Sequence, residues 1–139
     1  MWIKSHSIVT KEVTKEQMWK LFSDVNNWKN WKESIEFASL EGKFEKGNYF
    51  MFKPKGGPKI KMKIVEALEN QNFTDLTTFP LAKMYGEHLL EDTPDGLKIT
   101  ITMKVEGILG FLWIKIVAQK IIDSLPEDML IQINNACKL

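Results

Sequence analysis

The chain has 139 residues, 44% apolar and 27% charged, which suits one domain and excludes a disordered tail, a collagen-like fibre and a low-complexity linker. Nineteen basic against eighteen acidic side chains leave a net charge of +1, so no global field draws the chain to nucleic acid or to an anionic membrane. One cysteine, Cys137, cannot form an internal disulfide, and no thiol cluster exists to hold zinc.

Met1-Trp2-Ile3-Lys4-Ser5-His6 lacks a basic segment followed by an apolar run. The longest apolar stretch, Ile108 to Ala118, is broken by Gly110 and Lys115 and falls far short of the roughly 20 residues a membrane span needs. A soluble cytoplasmic chain without stable membrane insertion is expected. Residues 2–12 predict a strand carrying Ile3, Ile8 and Val9, with Lys11 on the parity of Val9 and Val13, so either a bulge intervenes or Lys11 points inward. Thr14-Lys15-Glu16-Gln17 is a capping box that opens a helix with Met18, Leu21, Phe22 and Val25 at helical spacing. After Asn26-Asn27, Trp28-Lys29-Asn30-Trp31 predicts a second short helical turn ending near Ser34.

From Ile35 to Glu106 the pattern changes to period two. Ile35-Glu36-Phe37 opens a strand that turns at Glu41-Gly42-Lys43; Gly47 to Lys53 forms another, and Pro54-Lys55-Gly56-Gly57-Pro58 is a loop. Ile60, Met62 and Ile64 alternate with Lys59, Lys61 and Lys63, as in a strand with one wet face. Strands follow at Phe73–Phe79 and Met84–Glu91, then a Pro94-Asp95-Gly96 turn and the clean alternation of Leu97–Val105. Beyond Gly107 the period is again helical: Ile114, Val117, Ala118, Ile121, Leu125, Met129 and Ile133 trace one stripe down about 45 Å of helix. Pro126 removes one backbone donor there and should kink the helix near Ile122. Nothing repeats and no linker divides residues 1–139. The fold class is therefore α+β: a curved antiparallel sheet of six to seven strands around a long C-terminal helix, with two short helices after the first strand.

Thr14-x-x-x-Met18-Trp19-x-Leu21-Phe22-Ser23-Asp24-Val25-x-x-Trp28-x-x-Trp31, with Leu90-Glu91-x-x-x-Asp95-Gly96-x-x-Ile99-Thr100 and Leu125-Pro126, resembles the START-like helix-grip superfamily. The resemblance points to its SRPBCC group of polyketide cyclase/dehydrase and lipid-transport-like proteins. It covers nearly the whole chain. Two features depart from it: Val13-Thr14 stands where Ala-Pro usually enters the first helix, and Lys11 stands where an aliphatic residue is common. The resemblance implies a pocket for an apolar or amphipathic small molecule; it does not by itself imply a reaction.

Chemistry-bearing residues are sparse. His6 is expected on the outer parity of the first strand. His88 shares parity with Met84 and Leu90, with Tyr85 and Glu87 on the other parity; facing inward it could orient a ligand or act as general base, or it could simply be hydrogen-bonded to a neighbour. For a cyclase- or dehydratase-type reaction, His88, Tyr85 and Glu87 are the candidates for proton transfer. Two distant histidines and a terminal cysteine build no metal site, and no cofactor is expected. No nucleophile motif occurs, and Glu91-Asp92 and Glu127-Asp128 read as solvated surface pairs. Asp24 is expected to fix the loop before Trp28. Gly56-Gly57 lacks the strand–glycine–helix context of a phosphate loop. Lys53, Lys55, Lys59, Lys61 and Lys63 read as a wet strand face that also discourages edge pairing. An RNA-binding sheet would show aromatics on an exposed strand face, which this pattern does not, so no nucleic-acid partner is expected.

Aromatics and methionines exceed what a lean core requires. Wide, soft side chains around a curved sheet suit a plastic apolar pocket, for which Trp28, Trp31, Phe37, Phe50, Phe52, Met62, Phe79, Ile101, Met103, Phe111, Ile114 and Ala118 are the expected lining. Access is expected near Trp28, Trp31 and the loop around Pro80. Ile108–Ile114 is apolar on every side of the helix start, so one side must meet the short helices, a second copy in a homodimer, or a membrane surface. The leading expectation is a binder of a hydrophobic, lipid- or polyketide-like molecule. The alternatives are a cyclase or dehydratase, and a protein-interaction module like the heat-shock-ATPase activator relatives of the superfamily.

Overall fold

The computed structural model describes residues 1–139. Strand β1 (Trp2–Thr10) leads into helix α1 (Lys15–Ser23), a 3-10 turn (Val25–Asn27) and the single-turn helix α2 (Trp28–Trp31). Strands β2 (Ile35–Leu40), β3 (Tyr49–Pro54), β4 (Ile60–Leu68), β5 (Asn72–Phe79), β6 (Ala82–Thr93) and β7 (Gly96–Glu106) follow. The C-terminal rod comprises α3 (Gly110–Trp113), a π turn (Ile114–Ala118) and α4 (Gln119–Ala136). The seven strands form one antiparallel sheet in the order β1-β7-β6-β5-β4-β3-β2, so the first strand closes against the last.

The capping box forms as expected. The Thr14 hydroxyl accepts from the Gln17 amide at 3.1 Å while the Gln17 side-chain oxygen accepts from the Thr14 amide at 2.9 Å, satisfying two donors that the helix start would otherwise orphan. The Gln17 side-chain nitrogen also donates to the Leu139 carbonyl at 3.2 Å, which ties the start of α1 to the end of the rod. Lys32 and Asp128, both mostly shielded, pair at 3.0 Å and pin the end of α2 to α4.

One face of the sheet is inner. There the rod's Leu125, Met129, Ile133 and Ala136 meet α1's Met18, Leu21 and Phe22 and the strand residues Phe73, Leu90, Leu97, Ile99 and Ile101. Each such large side chain removed from water contributes about 1.5–3 kcal/mol, and that burial holds rod, α1 and sheet together. A second cluster joins Val25 to Ile35, Ala38, Leu40, Phe50 and Ile64; a third joins Met84, Met103 and Val105 to Ala118 of the π turn.

Several local expectations change. β1 ends at Thr10, so Lys11 lies exposed in a bend and neither bulges the strand nor enters the core. His6 pairs across from Ile101 and is half-buried on the inner side with Ile8, not on the outer parity. The rod does run through Pro126 within α4 as one helix, as the apolar stripe continuing past it implies, and an irregular turn not foreseen lies upstream at Ile114–Ala118. The lysines of β4 do not guard an edge: β4 is interior, between β5 and β3, and the edge strands are β1 and β2.

Candidate functional site on the inner face of the sheet

Strands β5 and β6 place polar groups in the middle of the apolar layer. The alternation Phe73-Thr74-Asp75-Leu76-Thr77 sends Phe73, Asp75 and Thr77 inward together. Asp75 is only 9% exposed and Thr77 2%. Asp75 sits opposite Ile64 on β4 and Gly86 on β6, Thr77 opposite Met84, and Gly86 opposite Met103. Since Ile64, Phe73 and the two methionines belong to three different apolar clusters, the polar pair lies where those clusters part.

Gly86 makes room for the carboxyl. A Cβ at this position would lie 2.8 Å from Asp75 Oδ1, inside van der Waals contact. Burial raises the Asp75 carboxyl from its ordinary 3.8 to about 7, with the Gly86 backbone hydrogen bond pulling the other way. Near neutral pH it therefore exchanges between a neutral acid, which donates a hydrogen bond, and a carboxylate, which accepts. The Thr77 hydroxyl is buried without any partner.

His88 faces inward, stacked on Phe73 at 3.8 Å and 7° and edge-on to Phe22 at 5.3 Å. Its Nδ1 lies 3.3 Å from the Phe73 carbonyl oxygen. Desolvation lowers its pKa to about 4, against the raising effect of the Phe73 and Gly86 backbone, so the ring is neutral at pH 7 and a feeble base. Tyr85 and Glu87 stand on the opposite face, where Glu87 pairs with Lys104 at 2.6 Å. The three proton-transfer candidates are therefore not brought together; only His88 reaches the interior.

Most of the expected lining is inward but divided among the clusters. Trp28 packs edge-on to Phe50 at 5.3 Å and donates its indole N–H to the Leu21 carbonyl at 3.2 Å. Phe52 and Met62 join them in the second cluster, while Trp31 borders the first beside Ile101. Phe79 and Ile114 flank Met103 and Ala118 in the third. Two assignments are corrected. Phe37 lies on the outer face, its ring 4.6 Å beneath the Lys59 ammonium, because a register shift between Ile35 and Phe37 sends Ile35 inward and reverses the parity after it. Phe111 is 71% exposed; Trp113, two residues on, is the side chain that turns in to stack on Phe79 at 4.4 Å.

Two of the clefts on the surface flank the sheet's ends. One of about 500 Å³ lies between Leu81–Lys83 and Glu106-Gly107; the other, about 580 Å³, lies where Lys11 and Thr14–Glu16 meet Asp92-Thr93. Neither reaches the space between α4 and the sheet, where Phe22, Phe73, Ile99, Ile101 and Met129 meet. The side chains meeting there are those that a guest held between α4 and the sheet would touch.

Asp75 and Thr77 were not among the sequence candidates. Their signal is the shared parity with Phe73 and Phe79 in one strand, which places an acid and a hydroxyl on an apolar face.

No protein-family model matches the chain, and no curated protein is recognisably similar in sequence. Solved structures do match. A protein of Nitrosomonas europaea superposes with a TM-score of 0.67 at 12% identity over 98% of this chain and 94% of its own. Ara h 8.0201 does so at 0.65 and 14% identity, over 99% and 100%. The di-domain ARO/CYC StfQ from the steffimycin biosynthetic pathway reaches 0.71 at 11% identity, over 98% of this chain but 49% of its own. At these identities the likeness is one of architecture: a seven-stranded antiparallel sheet, two short helices after β1 and a long last helix give the chain a helix-grip fold.

Proposed function

We propose that the protein binds a hydrophobic small molecule carrying one hydroxyl or carbonyl group, held between the sheet and the C-terminal rod. The polar group would rest on Asp75 and Thr77. The carrying observation is the Thr77 hydroxyl, 2% exposed and without a partner beside the buried Asp75 carboxyl. An unpaired buried polar group costs about 1–3 kcal/mol, a cost that a guest's polar atom would relieve. Around the pair, Met62, Met84 and Met103 are unbranched and can shift to admit a guest. The π turn that lays Ala118 against Met84 and Met103 is the kind of helix irregularity that recurs at functional sites. Two neighbours of the same fold are ARO/CYC proteins of biosynthetic pathways, which supports a small organic guest.

The test compares 2-naphthol with 2-methylnaphthalene by titration and by native mass spectrometry of the purified chain. Wild type should bind the naphthol more tightly, and Thr77→Val should erase that preference while keeping the hydrocarbon. Absence of saturable binding to either compound, with nothing co-purifying, overturns the reading.

A second reading rests on the Asp75 carboxyl titrating near neutrality, where a proton-transfer group is most effective. In it the bound molecule undergoes cyclase- or dehydratase-type proton transfer by Asp75. Turnover lost in Asp75→Asn with binding retained supports it; turnover unchanged removes it.

A further inference from the structure

His88 carries a hydrogen-bonding atom that neither the fold nor the Asp75–Thr77 pair uses. Its Nδ1 lies 3.3 Å from the Phe73 carbonyl oxygen. A carbonyl can only accept, so Nδ1 holds the ring proton. Burial keeps the pKa of the ring at about 4, so at pH 7 there is no second proton and Nε2 retains a bare lone pair. Nε2 makes no hydrogen bond within the chain. The ring is held in place, stacked on Phe73 at 3.8 Å and met edge-on by Phe22 at 5.3 Å. It is only half-buried, although it points inward from β6, a strand flanked on both sides by others. Its remaining surface therefore opens into the layer between the sheet and the helices.

The strand register sets that acceptor in line with the polar pair. His88 faces Phe73, and Asp75 and Thr77 follow two and four residues along β5. At the rise of a strand they stand roughly 7 and 13 Å from His88 along the sheet. Beside this line β7 places Ile101 opposite His88 and Met103 opposite Gly86, both buried and apolar. An apolar strip thus has a lone-pair acceptor at one end and an acid with a hydroxyl at the other. A bare imidazole nitrogen gains nothing from a carbonyl or ether oxygen, which only accept, and needs a donor. We propose that the guest is an elongated apolar molecule bearing a polar group at each end: the hydroxyl or carbonyl that rests on Asp75 and Thr77, and a second hydroxyl that donates to His88 Nε2, an assignment that rests on the guest-binding reading of Asp75 and Thr77. His88 then selects the guest through an acceptor aimed before binding, which costs little ordering when the guest arrives.

The test titrates the purified full chain with 2,6-dihydroxynaphthalene, 2-naphthol and 2-methylnaphthalene. Wild type should bind the diol about threefold to tenfold more tightly than 2-naphthol, the worth of one net hydrogen bond. His88→Phe, which keeps a ring against Phe73, should reduce that gain to about twofold or less and leave 2-naphthol preferred over the hydrocarbon. The nitrogen-15 spectrum of the wild-type imidazole is an independent readout. Nε2 should resonate as an unprotonated nitrogen in the free chain and shift toward the protonated range with the diol, but not with 2-methylnaphthalene. A diol no tighter than 2-naphthol overturns the role of His88, while 2-naphthol still outbinding the hydrocarbon leaves Asp75 and Thr77 standing. A gain that survives in His88→Phe, or a free chain with the proton on Nε2, also overturns it. Saturable binding of none of the three compounds removes both readings together.

Discussion

Asp75 and His88 give the protein two opposed pH dependences, and removing either exposes the other. Asp75 is raised from 3.8 to about 7. Between those values the folded state holds a proton that the unfolded chain has lost, so this group's stabilisation is complete below pH 4 and drains away up to pH 7. His88 is lowered from 6.5 to about 4. There the unfolded chain holds the extra proton, and stability grows as pH rises through the same window. Each slope approaches about 1.4 kcal/mol per pH unit, so in the wild type the two nearly cancel from pH 4.5 to 6.5. Asp75→Asn leaves only the histidine slope. Its stability relative to wild type should climb by about 3 kcal/mol across those two pH units. Urea unfolding at pH 4.5, 5.5 and 6.5 measures this. A difference constant to within about 0.5 kcal/mol across the three pH values would mean that water reaches the Asp75 carboxyl, and the buried polar site would be lost with it.

Other substitutions probe the same architecture. Gly86→Ala forces a Cβ to 2.8 Å from Asp75 Oδ1 and should cost about 1–3 kcal/mol, with a cost well below the sum when combined with Asp75→Ala. Thr77→Val replaces an unpartnered hydroxyl by a methyl of the same shape and should raise stability by about 1 kcal/mol in thermal melts. Gln17→Ala removes half of the capping box and the bond to the Leu139 carbonyl; a loss of about 1 kcal/mol is expected, and no change in urea midpoint would refute that double role. Leu81→Asn relieves a left-handed leucine and should raise the melting temperature by a few degrees.

The order of elements was legible because two periods alternate cleanly along the chain. Leu97–Val105 reads as a strand and Leu125–Met129–Ile133 as a helix stripe without any tertiary information. What escaped the sequence is set by single-residue events. One register shift at Glu36 turned Phe37 to the outside, and no propensity marks where a strand will bulge. His6 was assigned to the wrong face because β1 offers few apolar residues to fix its parity. Phe111 and Trp113 sit in a run that is apolar on all sides, where periodicity says nothing about which ring turns in. Asp75 was the accessible miss. Its parity with Phe73 was readable, but an acid on an apolar face becomes conspicuous only once the facing Gly86 shows that space was left for it.

The seam between β1 and β7 fixes how the chain must be assembled in time. The Ser7 and Thr100 hydroxyls meet across it at 2.9 Å, 93 positions apart. A ribosome delivers β1 first, yet its strand partner emerges only after the other five strands have been made. Contacts of such long sequence separation place folding in the millisecond-to-second regime. Until the seam closes, β7 presents a bare row of amides and carbonyls to any other strand within reach, so a nascent chain is most vulnerable to aggregation just before its last stitch.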